Sequence, residues 1–83
     1  MTETIDLAEV QRASMLRMGE RWNSLGKLKQ ATDTFLRIVQ EHPGTAEAEQ
    51  AKAALITMAG NFEAEGRYHL AMDIFDRLNE ATV

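Results

Sequence analysis

The sequence lacks cysteine and contains a single proline. Without cysteine there is no disulfide framework, no thiolate zinc site and no cysteine nucleophile, which fits a reducing compartment. All five glycines fall at or after position 19, so little interrupts helix formation before that point or between the later glycines. We therefore expect helices with few breaks.

Long apolar runs and clusters of basic charge are also missing. The longest apolar run is the four residues Ala53 to Ile56, far short of the about 20 that span a bilayer as a helix. The nine Lys and Arg residues are scattered singly and the net charge is −4, so no basic stripe is available for nucleic acid. The acidic start "MTETIDLAEV" is unlike a secretory signal. We expect a cytoplasmic protein with neither nucleic acid nor a membrane as partner.

The chain is short for an independent fold. Its 83 residues form one small domain, in which a single core supplies only about 3–5 kcal/mol of net stability. Apolar residues make up 45% of the chain and charged residues 27%, as is usual in globular domains. We therefore expect self-association or a partner to add stability.

Residues of like type recur at a shift of 40 positions. We call two residues related by this shift counterparts. The main counterpart pairs are Met15 and Leu55, Met18 and Met58, Trp22 and Phe62, Gly26 and Gly66, Leu28 and Tyr68, Ala31 and Ala71, Phe35 and Phe75, and Ile38 and Leu78. The apolar members are spaced at three or four within each segment, so a helical face is what repeats. Such a period is typical of stacked supersecondary units. We expect one domain, residues 1–83, with repeats over about 4–43 and 45–83.

Each repeat predicts two helices and no segment predicts a strand, so the fold class is all-α. The predicted helices cover about residues 4–24, 27–42, 45–65 and 67–81. The predicted buried residues are Met15, Met18, Trp22 and Leu25 in the first helix, Leu28, Ala31, Phe35, Ile38 and Val39 in the second, and Ala51, Leu55, Met58 and Phe62 in the third. Ala31 and Ala71 lie where the two helices of each repeat cross, a place that favours a small side chain.

Residues that begin and end helices stand at the predicted boundaries. Thr2 or Thr4 is a candidate cap for the first helix, and Thr45 caps the third. The first and third helices end at glycines that take a left-handed conformation. The second helix ends before Pro43.

The order of these residues resembles the tetratricopeptide repeat. The matching residues are Met15, Met18, Gly19, Trp22, Gly26, Leu28, Ala31, Phe35, Ile38 and Pro43 in the first repeat, and Leu55, Met58, Ala59, Phe62, Gly66, Tyr68, Ala71, Phe75 and Leu78 in the second. The family's period is 34, and we attribute the longer period here to an elongated first helix. The resemblance implies two helix-turn-helix hairpins stacked as a short α-solenoid.

The resemblance also implies a binding surface for a partner protein or peptide. In this family the inner surface formed by successive first helices holds the partner. In this chain that surface corresponds to Leu16, Glu20, Asn23, Ala53, Ile56, Gly60, Glu63 and Ala64, next to Ala13. The Lys and Asn residues with which one subset of the family grips a terminal carboxylate are absent, so we expect an apolar floor with acidic edges.

The last predicted helix differs from its counterpart on two sides. The counterparts of Leu36 and Val39 are the polar residues Asp76 and Asn79. The side of the last helix on which a further repeat would pack is therefore polar, as in a terminal cap. On the opposite side Leu70 and Ile74, with Ala81, form an extra apolar strip.

This strip has two interpretations. It either covers a small satellite core or leaves a few aliphatic side chains exposed, or it is a contact surface for self-association or a partner. On the second interpretation we expect a homo-oligomer, with a dimer as the first expectation.

No arrangement of residues indicates catalysis or a metal. Glu65, His69 and Asp73 are spaced by four, but Gly66 interrupts the helix between the first two. We expect no catalytic residue, no metal and no cofactor. The sequence thus predicts a non-catalytic protein-protein interaction module of the adaptor, scaffold or assembly-factor type, which binds a partner segment on the inner face of its first helices. The alternative is a structural self-assembly unit that forms a homo-oligomer through the last helix.

Overall fold

The structure is a computed structural model that describes residues 4–82. Its four helices are α1 (Leu7–Ser24), α2 (Leu28–Glu41), α3 (Ala46–Ala64) and α4 (Tyr68–Thr82). They pack as sequential antiparallel pairs, so the all-α class is confirmed. We call α1 and α2 the first hairpin, and α3 and α4 the second hairpin. Every predicted helix end lies within three residues of the observed one.

Side-chain caps begin the first helix of each hairpin. The Asp6 carboxylate accepts hydrogen bonds from the backbone N–H groups of Ala8 and Glu9 at 3.0 and 3.3 Å. Asp6 is therefore the cap of α1, where Thr4 was a candidate; Thr2 lies outside the described residues. Thr45 accepts a bond from the Ala48 N–H at 3.2 Å, which confirms its predicted role at α3.

The two hairpins turn through the same set of backbone hydrogen bonds. The N–H groups of Gly26 and Lys27 donate to the carbonyls of Asn23 and Trp22, which are the bonds of a Schellman motif. The same two bonds recur 40 positions later, from Gly66 and Arg67 to Glu63 and Phe62. Both glycines have positive φ, 75° and 77°, which a side chain would strain. Each turn is therefore specified by the residues next to it, and the same arrangement occurs in both hairpins.

The core lies mainly on the two central helices. α2 contacts α1, α3 and α4, whereas the described parts of α1 and α4 do not touch each other. The buried apolar residues are Leu16, Ala31, Phe35, Leu36, Ile38, Val39, Ala48, Ala51, Leu55, Met58, Ala59, Phe62, Ala71 and Ile74. The burial predicted for α3 is confirmed, and so is that for α2, except that Leu28 is only half-buried.

The burial predicted for the edge helices is partly wrong. Met18 is 50% exposed although its counterpart Met58 is 4% exposed. Leu25 is exposed, and Met15 and Trp22 are half-buried against the core. On α4, Phe75 is 40% exposed although its counterpart Phe35 is fully buried. The reason is that α3 packs between α2 and α4, whereas α1 and α4 each have one side that no described helix covers.

Two ion pairs join the hairpins. The Arg12 Nε donates to Glu47 Oε1 at 2.8 Å, from α1 to α3. This bond lowers the pKa of the Glu47 carboxyl and raises that of Arg12. Arg77 donates to Asp33 Oδ1 at 2.8 Å, from α4 to α2, and this bond lowers the pKa of Asp33. The pairs fix the two hairpins in one register.

The stack is long and thin. Its Cα atoms extend over 56 × 30 × 15 Å with a radius of gyration of 13.8 Å, compared with about 12 Å for a globular domain of this length. Such a shape leaves much side-chain surface available for contacts. In residues 4–82, none of the helices combines the length and apolar character that crossing a membrane requires.

Candidate interaction site

The predicted inner face consists of residues on α1 and α3, two helices that contact each other. Seven of its eight residues are exposed, and these are Glu20, Asn23, Ala53, Ile56, Gly60, Glu63 and Ala64. Ala13, beside them, is half-buried. On α3 the exposed members are small or acidic apart from Ile56, which is therefore the one large apolar side chain on that part of the face.

Leu16 is the exception, because its side chain is buried. It is 8% exposed and belongs to the core, so the expectation that it lines an open floor is corrected. The order of packing gives the reason. α3, the first helix of the second hairpin, packs against α1, whereas no described helix takes the corresponding place beside α3. A partner on this face would reach Ile56 and not its counterpart Leu16.

A groove runs along the second hairpin beside this face. We call it the α3–α4 groove and define it by Ile56, Glu63, Tyr68, Ala71, Met72 and Phe75. The last five residues line a depression of about 230 Å³. Ile56 lies seven residues before Glu63, two turns away on the same side of α3. Another depression of about 380 Å³ lies beyond Phe75, toward Lys52 and Leu78.

The first hairpin has the corresponding groove, and there it is filled. In the α3–α4 groove the exposed fractions are 52% for Ile56, 62% for Tyr68, 61% for Met72 and 40% for Phe75. Of their counterparts, Leu16 is 8%, Thr32 6% and Phe35 0% exposed, and Leu28 is half-buried. The first hairpin packs against α3, and the second hairpin has no described helix in that place. The α3–α4 groove is thus an exposed apolar surface. It corresponds to the surface of the first hairpin that α3 covers.

The carboxyl-terminal end of α4 is polar, as predicted. Leu36 and Val39 are buried, whereas their counterparts Asp76 and Asn79 are exposed. Asp73, one turn before Arg77, lies on the same helix and is exposed. The groove therefore contains apolar side chains from Tyr68 to Phe75, and polar side chains follow on α4 beyond Phe75.

The predicted strip on the other side of α4 is mostly part of the chain's own packing. Ile74 is 2% exposed and Ala81 is half-buried against the core, while Leu70 stays partly exposed. Leu70 and Ile74 line a cleft of about 380 Å³ between α2 and α4. The interpretation as an open oligomer contact therefore fails at Ile74, because that side chain is already buried within the chain.

The titratable side chains do not gather into a reactive cluster. Glu65 follows the end of α3, while His69 and Asp73 lie on α4. Within the described part of the chain, no three His, Asp or Glu side chains are arranged to hold a metal ion. The site offers apolar contact and charge at its edge.

The repeat pattern matched Tyr68 and Phe75 to Leu28 and Phe35, which are half-buried and buried, yet Tyr68 and Phe75 are exposed. The signal that they are exposed was present nearby, in the polar residues Asp76 and Asn79. Exposed polar residues at these two positions indicate that no described helix of the same chain covers that side of α4, so the apolar residues of the same side are exposed as well.

Comparison of the chain with protein-family models, with curated proteins and with solved structures finds no match.

Proposed function

We propose that this chain is a non-catalytic protein-interaction module that holds a helical segment of a partner in the α3–α4 groove. The partner would cover Ile56 on the inner face and Tyr68, Met72 and Phe75 on α4. Binding by burial of an amphipathic helix in an apolar groove is a common mode of recognition. The observation that supports the proposal is the contrast between the two hairpins, since the same groove is filled by α3 in the first and exposed in the second.

We also propose that the two hairpins are repeats of the tetratricopeptide kind with an elongated first helix. Three features support this assignment. The backbone bonds of the two turns match at a shift of 40 residues, both turns contain a glycine with positive φ, and Ala31 and Ala71 are both buried at the crossing of their hairpins.

The edge of the groove indicates which charge the partner carries. Glu63 lies in the groove itself, and Asp76 is exposed on α4 immediately after Phe75. Lys52 is a basic side chain near that end. An apolar helix with basic residues on its flanks suits this surface better than an acidic one.

The proposal is tested by capture of partners on the immobilised chain from a native extract. Wild type is compared with Ile56→Arg and Met72→Arg, which place a charge on each side of the groove. Both side chains are more than half exposed, so we expect the variants to fold and to lose the captured protein. Leu25→Arg is the matched control, because Leu25 is 59% exposed in the turn and outside the groove.

Two results would contradict the assignment. One is capture that survives both groove variants, and the other is capture that Leu25→Arg removes equally. A circular-dichroism spectrum and a melting curve for each variant separate lost binding from lost folding.

A further inference from the structure

We infer that the helix which fits the α3–α4 groove is α1 of a second copy of this chain, docked head to tail as α3 docks on the first hairpin. This inference rests on the proposed function of the groove and names its occupant. The chain would then continue its own stack across the junction between molecules.

The amino-terminal helix has an open side that corresponds to the buried side of α3. Met18 is 50% exposed and its counterpart Met58 is 4% exposed. Four more residues of α1 are exposed or half-buried where their counterparts on α3 are buried, and these are Ala8, Gln11, Met15 and Trp22, with counterparts Ala48, Ala51, Leu55 and Phe62. In the second hairpin, the side of α3 that carries these buried residues lies between α2 and α4. The molecule therefore has the α3–α4 groove at one end. At the other end is α1, whose open side corresponds to the buried side of α3.

The charges at the two ends are also complementary. Within the chain, Asp33 on α2 accepts a bond from Arg77 on α4 across the junction of the hairpins. The counterparts of these residues are Asp73 and Arg37, and both are exposed. In a head-to-tail contact that repeats the internal junction, Asp73 of one copy faces Arg37 of the next. The internal ion pair would thus be reproduced between molecules.

The polar end of the groove meets a polar residue on the other copy. Inside the chain, the buried end of α2 lies beside the start of α3, where Ala51 is buried. At the open ends both sides are polar, with Asp76 and Asn79 on α4 and Gln11 on α1. Polar side chains are therefore present on both surfaces that would meet there. The contact has fewer apolar residues than the internal junction, and we expect it to be weaker and reversible.

This contact is heterologous, because the two molecules use different surfaces. Repetition of one heterologous contact builds an open chain and not a closed pair. A contact of groove against groove would be isologous and would stop at a dimer. The two arrangements are separable by blocking one end of the molecule at a time.

The test uses sedimentation equilibrium of the full chain from micromolar to millimolar concentration. We expect wild type to show an average mass that rises with concentration beyond that of a dimer. Met18→Glu blocks the open side of α1, and Met72→Glu blocks the α3–α4 groove. Both side chains are half exposed or more. Each variant alone should associate at least about tenfold more weakly, because a buried charge replaces an apolar contact.

Mixing the two blocked variants gives the decisive result. Met18→Glu keeps an intact groove and Met72→Glu keeps an intact α1, so their mixture should form one-to-one dimers that grow no further. The control Leu25→Glu gives position 25 the residue of its exposed counterpart Glu65, and it should associate like wild type.

Three outcomes would overturn the inference. These are a wild type that stays monomeric at millimolar concentration, a wild type that associates while the mixture of blocked variants does not, and association that either single variant leaves unchanged. If self-association is absent but Ile56→Arg still abolishes capture from an extract, the groove binds a different protein, so the proposed function stands and this inference fails. If the mixture dimerises and no foreign protein is captured, the second copy is the partner.

Discussion

Gly19 on α1 lies directly against the ring of Phe35 on α2. A Cβ at this position would lie 2.6 Å from a ring carbon of Phe35, which is closer than two carbon atoms can pack. Phe35 is fully buried, so the ring has no room to move away. The size of one side chain therefore sets the distance between α1 and α2.

We expect Gly19→Ala to destabilise the protein. Overpacking in a core costs about 1–3 kcal/mol, and the better helix propensity of Ala returns about 0.5–1 kcal/mol. The net loss is about 0–2.5 kcal/mol, which lowers the melting temperature by up to about 20 °C in a domain of this size. Thermal unfolding followed by circular dichroism measures it.

Gly60→Ala is the matched control for this prediction. Gly60 lies within α3, and a Cβ added there would meet no described atom within 4 Å beyond its own chain neighbours and helix backbone. The substitution should therefore raise stability by about 0.5–1 kcal/mol through helix propensity alone. A Gly19→Ala variant as stable as Gly60→Ala would show that the ring of Phe35 moves freely.

At the scale of single residues, the sequence predicted which positions take a small or an apolar side chain better than it predicted which side chains are buried. Gly19 was correctly matched to a small-residue position, and its counterpart Ala59 is buried. Met18 was predicted to be buried from the same pattern, and this was wrong. Periodicity identifies which side of a helix is apolar, but burial also depends on whether another helix covers that side.

The helices themselves were predictable because their ends are encoded within a few residues. Thr45 caps α3 through its own side chain, and the glycine turns use bonds between residues no more than five apart. The ion pairs between the hairpins are different. Arg12 and Glu47 are 35 residues apart, and no local pattern indicates which of the 13 acidic residues meets Arg12.

The pair of Arg12 and Glu47 makes the attachment of α1 to α3 dependent on pH. Both side chains are less than one fifth exposed, and the bond lowers the pKa of Glu47. A carboxyl with a lowered folded-state pKa stabilises the fold above its unfolded pKa, about 4.3 for Glu. That contribution is lost as pH falls through the lower, folded-state value.

We therefore expect Glu47→Gln to be less stable than wild type at neutral pH, with a difference that shrinks below about pH 4. Urea unfolding at a series of pH values measures the free energy of unfolding of wild type and of Glu47→Gln as a function of pH. The control is Glu49→Gln in the same first turn of α3, where the partner Lys52 is 3.6 Å away and the Glu49 side chain is 65% exposed. Such an exposed pair contributes little, so equal losses for both variants would mean that Glu47 acts only through the helix terminus.

At the scale of the whole molecule, the sequence predicted an inner face that is open on both α1 and α3, whereas Leu16 on α1 is buried. The inner face was inferred by treating both first helices alike. In the structure the last hairpin lacks a following helix among the described residues, so Ile56 is exposed where Leu16 is buried. The position of a repeat within the stack is a property of the entire fold, which the residues of one repeat do not encode.

A short stack with two open ends should gain stability from its own concentration. A contact formed only by folded molecules stabilises them by mass action, by about 2.7 kcal/mol when the free concentration is 100 times the dissociation constant. We therefore expect the melting temperature of wild type to rise between micromolar and millimolar protein. Met72→Glu should melt at the same temperature over that range, since its groove no longer accepts α1, while Leu25→Glu should rise like wild type. The contrary outcome is that the melting temperatures of wild type and of Met72→Glu are both independent of protein concentration. That result would mean that the α3–α4 groove and α1 of another copy do not make contact.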